Sequence, residues 1–176
     1  MGNFILKRVS RLAATVLLGA CFLSVLIYAL PAQAAIRQLE EAPGQVVYQS
    51  RQTVSDQHGD RWQVIAFNRI RPDSSTRFYL RLVGFPGTAE IDRSRPLTLT
   101  PSIGQSFTAA DASSDIFTDA AAPEPNVGQY DLQPIVSQLP TAIPIRLVLP
   151  TLNTNDVVLT ISPALVQEWK TLSTYE

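Results

Sequence analysis

One cysteine, Cys21, and one histidine, His58, are all that the 176 residues offer of the side chains from which most metal centres are built. A structural zinc site takes about four cysteine or histidine ligands, and a catalytic one about three ligands that include carboxylates. His58 alone builds neither. A serine triad would need His58 as its base, yet it stands beside Gly59 in Ser55-Asp56-Gln57-His58-Gly59-Asp60, which reads as a solvated turn. Ser106, in Gly104-Gln105-Ser106, lacks the second glycine of a nucleophile elbow. No phosphate-cradling glycine loop and no dinucleotide fingerprint occur. The expectation is a protein without enzymatic activity, metal or cofactor, with hydrolases built from carboxylates alone left open. Asp111, Asp115 and Asp119 recur every four residues, but their spacing is not that of an EF-hand. They read as a solvated acidic loop, with a weak calcium site as the alternative.

Lysine is almost as scarce, being confined to Lys7 and Lys170. Of the 14 basic residues, Lys7, Arg8 and Arg11 sit at the amino end, where no acid precedes Glu40. Leu12 to Leu30 carries no charge and is dense in Leu, Val, Ala and Phe; Pro31 then stops any helix, and Ala32-Gln33-Ala34 follows. Basic region, apolar region and small-x-small site are the order of a secretory signal, here with cleavage between Ala34 and Ala35. Two rivals stay open. The apolar run is long enough to span a bilayer uncleaved. Leu18-Gly19-Ala20-Cys21 resembles a lipobox, in which Cys21 would be lipidated, although the residues after Cys21 remain apolar.

Beyond residue 34 the chain is of single-domain size. It holds no cysteine, which excludes disulfides even in an oxidising compartment. Eleven basic against 15 acidic residues remain there. That balance and an exported setting argue against a nucleic-acid partner. Nine arginines fall between Ala35 and Arg95, whereas Pro96 to the end holds only Arg146 and Lys170 as bases.

Strands are expected at Gln45 to Val54, Arg61 to Arg71 and Arg77 to Phe85, joined by turn-forming residues into a meander. Further strands are expected at Leu97 to Thr100, Ile143 to Leu149 and Val157 to Ile161. Residues 109 to 126, rich in Ala, Asp, Ser and Pro, read as a flexible acidic surface loop. Asp131 to Leu139 reads as a helical turn or two. Ser162 is placed to cap a helix with Pro163 at its first position, and Leu165, Trp169 and Leu172 recur at helical spacing. The fold class is mainly β, a β-sandwich or barrel-like antiparallel sheet with a short C-terminal helix packed on it, with α+β as the alternative.

Strand alternation assigns faces. Trp62, Val64, Ala66 and Ile70 share one side with Phe78, Leu80 and Leu82, if Arg71 opposes Arg77; Asn68 is the polar exception. The other side carries Arg69, Arg71, Arg77, Tyr79 and Arg81, with Ile65, Phe67 and Val83 further along. Those arginines and the tyrosine are the candidate anion- or partner-binding face, since guanidinium forks suit carboxylates and phosphates. The plainer reading is the wet face of a one-sided sheet whose arginines pair with acids of the same chain.

Val47-Tyr48-Gln49-Ser50-Arg51-Gln52-Thr53, Trp62-Gln63-Val64-Ile65-Ala66-Phe67 and Phe78-Tyr79-Leu80-Arg81-Leu82-Val83-Gly84-Phe85-Pro86-Gly87 resemble a domain family of unknown function found mainly in cyanobacteria, with relatives in photosynthetic eukaryotes. The resemblance brings no catalytic motif and no site residue. It implies a setting, the periplasm or thylakoid lumen of a photosynthetic cell. The resulting expectation is a non-enzymatic exported accessory protein with a protein partner at or near a membrane, serving assembly or maintenance of a photosynthetic membrane complex. The alternatives are a carrier or sensor of a small anionic or apolar ligand, and an envelope lipoprotein.

Overall fold

The computed structural model describes residues 36–116, 124–152 and 155–175. The proposed signal segment, with Cys21, Ala34 and Ala35, lies outside the described residues, as does Asp119. The chain is mainly β. Among the described residues nine strands, β1 Arg37–Ala42, β2 Gln45–Ser55, β3 Arg61–Ile70, β4 Thr76–Val83, β5 Leu97–Pro101, β6 Phe107–Asp111, β7 Val127–Asp131, β8 Ile145–Leu149 and β9 Val157–Ile161, precede one helix, α1 Pro163–Leu172.

The strands form one antiparallel sheet in the order β1-β2-β3-β4-β7-β6-β5-β8-β9. β6 turns the corner: Phe107 to Ala109 pair with β5, whereas Ala110 and Asp111 pair with β7. The last strand returns to the far end of β2, where Asp56 bridges to Leu159. Gln57 completes the seam with its side chain, accepting from the Val158 N–H at 2.6 Å and donating to the Asp156 carbonyl at 3.0 Å. The sheet is therefore barrel-like, with a first wall of β1, β2, β3, β4 and β7 and a second wall of β6, β5, β8 and β9.

Alternation fills the interior. Trp62, Val64 and Ala66 of β3 and Phe78, Leu80 and Leu82 of β4 are buried against Leu97, Leu99, Leu147 and Leu159 of the second wall. The Ser162 hydroxyl caps α1 by accepting from the Leu165 N–H, and Pro163 occupies the first turn, where a missing N–H costs nothing. Leu165, Val166, Trp169 and Leu172 are buried against β2 and β3. Each such side chain contributes about 1.5–3 kcal/mol of burial. Asn68, the polar residue on the inner face, has a structural reason. Its Nδ2 donates to the carbonyls of Leu172 and Tyr175, at 3.2 and 2.8 Å, and so fastens the end of α1. The Tyr175 ring stacks on Tyr48 of β2 at 4.5 Å.

Two segments depart from the sequence expectation, and the helical turn expected within 131–139 is present. The expected surface loop at 109–126 contributes the end of β6, a 3-10 turn at Ser113–Asp115 and the approach to β7. Asp131 ends β7, and the helical content expected from 131 to 139 is a 3-10 turn at Val136–Gln138. Arg37–Ala42, not expected as a strand, forms the edge strand β1.

Candidate functional site

The register places Arg69 opposite Arg77, Phe67 opposite Tyr79 and Ile65 opposite Arg81. Arg71 was expected opposite Arg77. It has instead left β3 and opens the turn, where its N–H donates to the Ser75 carbonyl. The offset is two residues, so the face assignment survives, but Arg71 does not stand in the arginine row. Gly59 and Ser74 take the positive φ, 90° and 61°, of the two hairpin turns. His58 is exposed in the first of these turns, its N–H donating to Asp56 Oδ1.

The outer face of the first wall is only partly wet. Val47, Ile65, Phe67 and Tyr79 form a second buried cluster beneath the arginines. Tyr79, expected on the surface, is 1% exposed, and its hydroxyl donates to Asp115 Oδ2 at 2.7 Å. Burial, followed by that bond, raises its pKa above the ordinary tyrosine value. Asp111 is also engaged, accepting from the Ser113 hydroxyl at 2.6 Å. Two of the three regularly spaced acids are thus structural. Among the described residues no group of three His, Cys, Asp or Glu side chains is placed to hold a metal ion.

Above this cluster the arginines differ in what holds them. Arg69 pairs with Glu41 of β1 at 3.0 Å, and Arg77 lies 3.9 Å from Asp131 of β7. These carboxylates relieve the repulsion of two like charges directly opposite each other. Arg81 makes no ion pair among the described residues, although the Glu41 charge also acts on it. Its Nε and Nη2 both donate to Gln129 Oε1, at 3.1 and 2.8 Å, so its strongest partner is a neutral amide. The Arg81 and Arg69 guanidiniums lie 5.1 and 5.5 Å from the centroid of the Phe67 ring, within cation–π range. Burial, then the nearby Arg69 charge, lowers the Arg81 pKa, although a guanidinium stays charged at any physiological pH.

Sequence reading missed two members of this face. Arg51 of β2 lies in one cross-strand row with Ile65, Arg81 and Gln129. Gln129 is fully buried, and β7, too short and interrupted by Gly128, carries little strand signal. Counting Arg37 and Arg61, the outer positions of this wall hold six arginines against Glu41 and Asp131. The outer face of β8 and β9 holds one, Arg146, among Val148, Val158 and Thr160.

Beside the arginine rows, a cleft of about 620 Å³ is lined by Thr53, Gln63, Val83, Gly84 and Asn126, with Arg61 and Glu124 among its charged residues. Trp62 backs it closely: a Cβ on Gly84 would lie 2.9 Å from the Trp62 ring. Phe85, 64% exposed, belongs to the cleft lining, and Leu39, 45% exposed, faces outward from β1 opposite Val47. Among the described residues no helix is long and apolar enough to cross a membrane.

A family model described as a protein of unknown function, DUF3122, matches residues 34–172. No curated protein and no solved structure matches the chain.

Proposed function

The chain belongs to this DUF3122 family of proteins of unknown function, and we propose that it is a non-enzymatic, exported accessory protein that docks on a protein partner at or near a membrane through the outer face of its first wall. The setting we propose is the periplasm or thylakoid lumen of a photosynthetic cell, and the role is assembly or maintenance of a photosynthetic membrane complex. The family's distribution, mainly in cyanobacteria with relatives in photosynthetic eukaryotes, belongs to the same proposal.

One observation carries the docking reading. The arginines are gathered on one wall, with the half-buried Arg81 held by a neutral acceptor, while the interior is filled by packed side chains. Arginine beside exposed apolar side chains, here Leu39 and Phe85, is the composition of interface hot spots. A carrier of a small ligand is the second reading, favoured by the cleft beside Gly84, whose volume is within the range of ligand pockets.

The test is gentle purification of the tagged protein from its own membranes, with mass spectrometry of the amino terminus and of co-purifying proteins. The expected chain begins at Ala35 and brings membrane-complex subunits with it. Leu39→Asp and Phe85→Asp release those subunits, and Ile103→Asp, an exposed site in the β5–β6 loop, does not. Purification alone would contradict docking, and an acylated Cys21 would replace cleavage at Ala34 with a lipoprotein.

A further inference from the structure

We infer that Arg51, Arg69 and Arg81 form a binding site for a phosphate-class oxyanion on the outer face of the first wall. The inference rests on reading that face as the working surface, and it adds the chemistry of what is recognised there.

The site is built from below. Gln129 has no exposed surface, and its amide is oriented by two contacts: Nε2 donates to the Ala112 carbonyl at 3.3 Å, and Oε1 faces Arg81. Its backbone N–H donates to the Ser113 hydroxyl at 3.0 Å, and Asp111 holds that hydroxyl in turn. This chain of bonds fixes the Arg81 guanidinium by its Nε and Nη2 edge. The Nη1 group is left for a ligand. An arginine held by a carboxylate would be neutralised; one held by an amide is oriented with its full charge intact.

Arg51 stands in the same cross-strand row, and Arg69 shares the Phe67 ring with Arg81. Glu41 engages the Nε of Arg69 and leaves its two Nη groups free for an anion. Three guanidiniums and one carboxylate give this cluster a net charge of about two positive units. A phosphate monoester carries about −1.5 to −2 at neutral pH and presents three acceptor oxygens. It matches the charge and supplies an acceptor for each arginine, whereas a carboxylate supplies two oxygens and one charge. Such an anion also relieves the mutual repulsion of the three cations, which Glu41 offsets only in part. Every member is arginine, the side chain whose fork fits a phosphate.

The chemistry has two sources, free phosphate and a phosphomonoester headgroup on a membrane. The experiment is calorimetric titration of the full-length protein with inorganic phosphate at constant ionic strength, chloride replacing phosphate in the reference. It is repeated with phosphatidylcholine vesicles that contain or lack phosphatidic acid. Saturable phosphate binding is expected, with Arg51→Gln and Arg69→Gln each weakening it about tenfold, the weight of one hydrogen bond to a charged group. Arg146→Gln, on the other wall, leaves it unchanged. Arg81→Lys keeps the charge but loses the fork on Gln129, and is expected to weaken binding as much as Arg51→Gln. Binding of inorganic phosphate alone identifies a free-anion site. Binding also of vesicles that contain phosphatidic acid identifies a headgroup site. Either result upholds the inference. Heats that follow ionic strength only, or that ignore Arg51→Gln and Arg69→Gln, overturn it. Capture of membrane subunits by Arg51→Gln at the wild-type level, with phosphate binding weakened as expected, separates the two readings, because docking then stands on other residues of the face.

Discussion

Gln129 Oε1 accepts from two nitrogens of one guanidinium, Arg81 Nε and Nη2, while the Gln129 amide nitrogen is tied to the Ala112 carbonyl. Gln129→Leu leaves the half-buried cation without its acceptor and removes one of the two donors to that carbonyl, which keeps the Asp115 N–H. The expected loss is about 2–4 kcal/mol of unfolding free energy, measured by urea titration. Gln129→Glu restores an acceptor for Arg81. It is expected to unfold nearer to wild type than the leucine variant while binding phosphate more weakly, because the cluster loses one unit of positive charge.

Gly84 leaves no room for a side chain. An added Cβ would meet Trp62 Cη2 at 2.9 Å, and the indole is itself fully buried. Gly84→Ala is expected to cost about 1–3 kcal/mol by overpacking, read as a fall in the thermal midpoint. A midpoint equal to wild type would mean that Trp62 has space to move.

Asn68 joins β3 to the end of α1 through two carbonyls, those of Leu172 and Tyr175. Asn68→Leu keeps the size and removes both donors, with an expected loss of about 1–3 kcal/mol. Hydrogen exchange should rise selectively in the last turn of α1. Uniform exchange along the helix would show that burial of Trp169 and Leu172 holds it without Asn68.

Tyr79 and Tyr130 both have raised pKa values, in each case first through burial. A raised pKa means that the folded state keeps the proton more tightly. The stabilisation is complete below the ordinary tyrosine value of about 10 and is lost as pH rises through the folded value. Unfolding midpoints are therefore expected to fall steeply at alkaline pH, with the tyrosinate absorbance of Tyr79 and Tyr130 appearing only as the chain unfolds, read by comparison with Tyr79→Phe and Tyr130→Phe. Asp73, Asp92 and Asp156 are lowered, first by hydrogen bonds from Ser75, Ser94 and Arg95 respectively. Their stabilisation is present above the ordinary carboxylate range and is lost as pH falls. Arg95→Gln, which removes the partner of Asp92 and Asp156 at 2.8 and 2.9 Å, should flatten the acid limb.

Much of the fold is legible in the sequence because parity is robust. The meander, its two turns, the capped helix and the strands at Leu97, Ile145 and Val157 follow from alternation and turn chemistry. The two-residue offset that moved Arg71 into the turn left every side chain on its expected face; an odd offset would have reversed them. What stayed hidden has physical reasons. β1, Arg-Gln-Leu-Glu-Glu-Ala, is exposed throughout and shows no alternation. β7 turns Gly128 inward, so its inner face carries too little apolar signal. The cluster beneath the arginines was half visible in Ile65 and Phe67. Gln129, the residue that orients Arg81, lies 48 positions away in a segment with no strand signature.

The central claim is that the outer face of the first wall is the working surface, and site-specific photocross-linking tests it most directly. A photoreactive residue is placed at Gln63, exposed on that face, or at Thr160, exposed on the second wall. After irradiation in the protein's own membranes, a discrete cross-linked product is expected from position 63 and none from position 160. The same product from both positions, or from position 160 alone, would contradict the account.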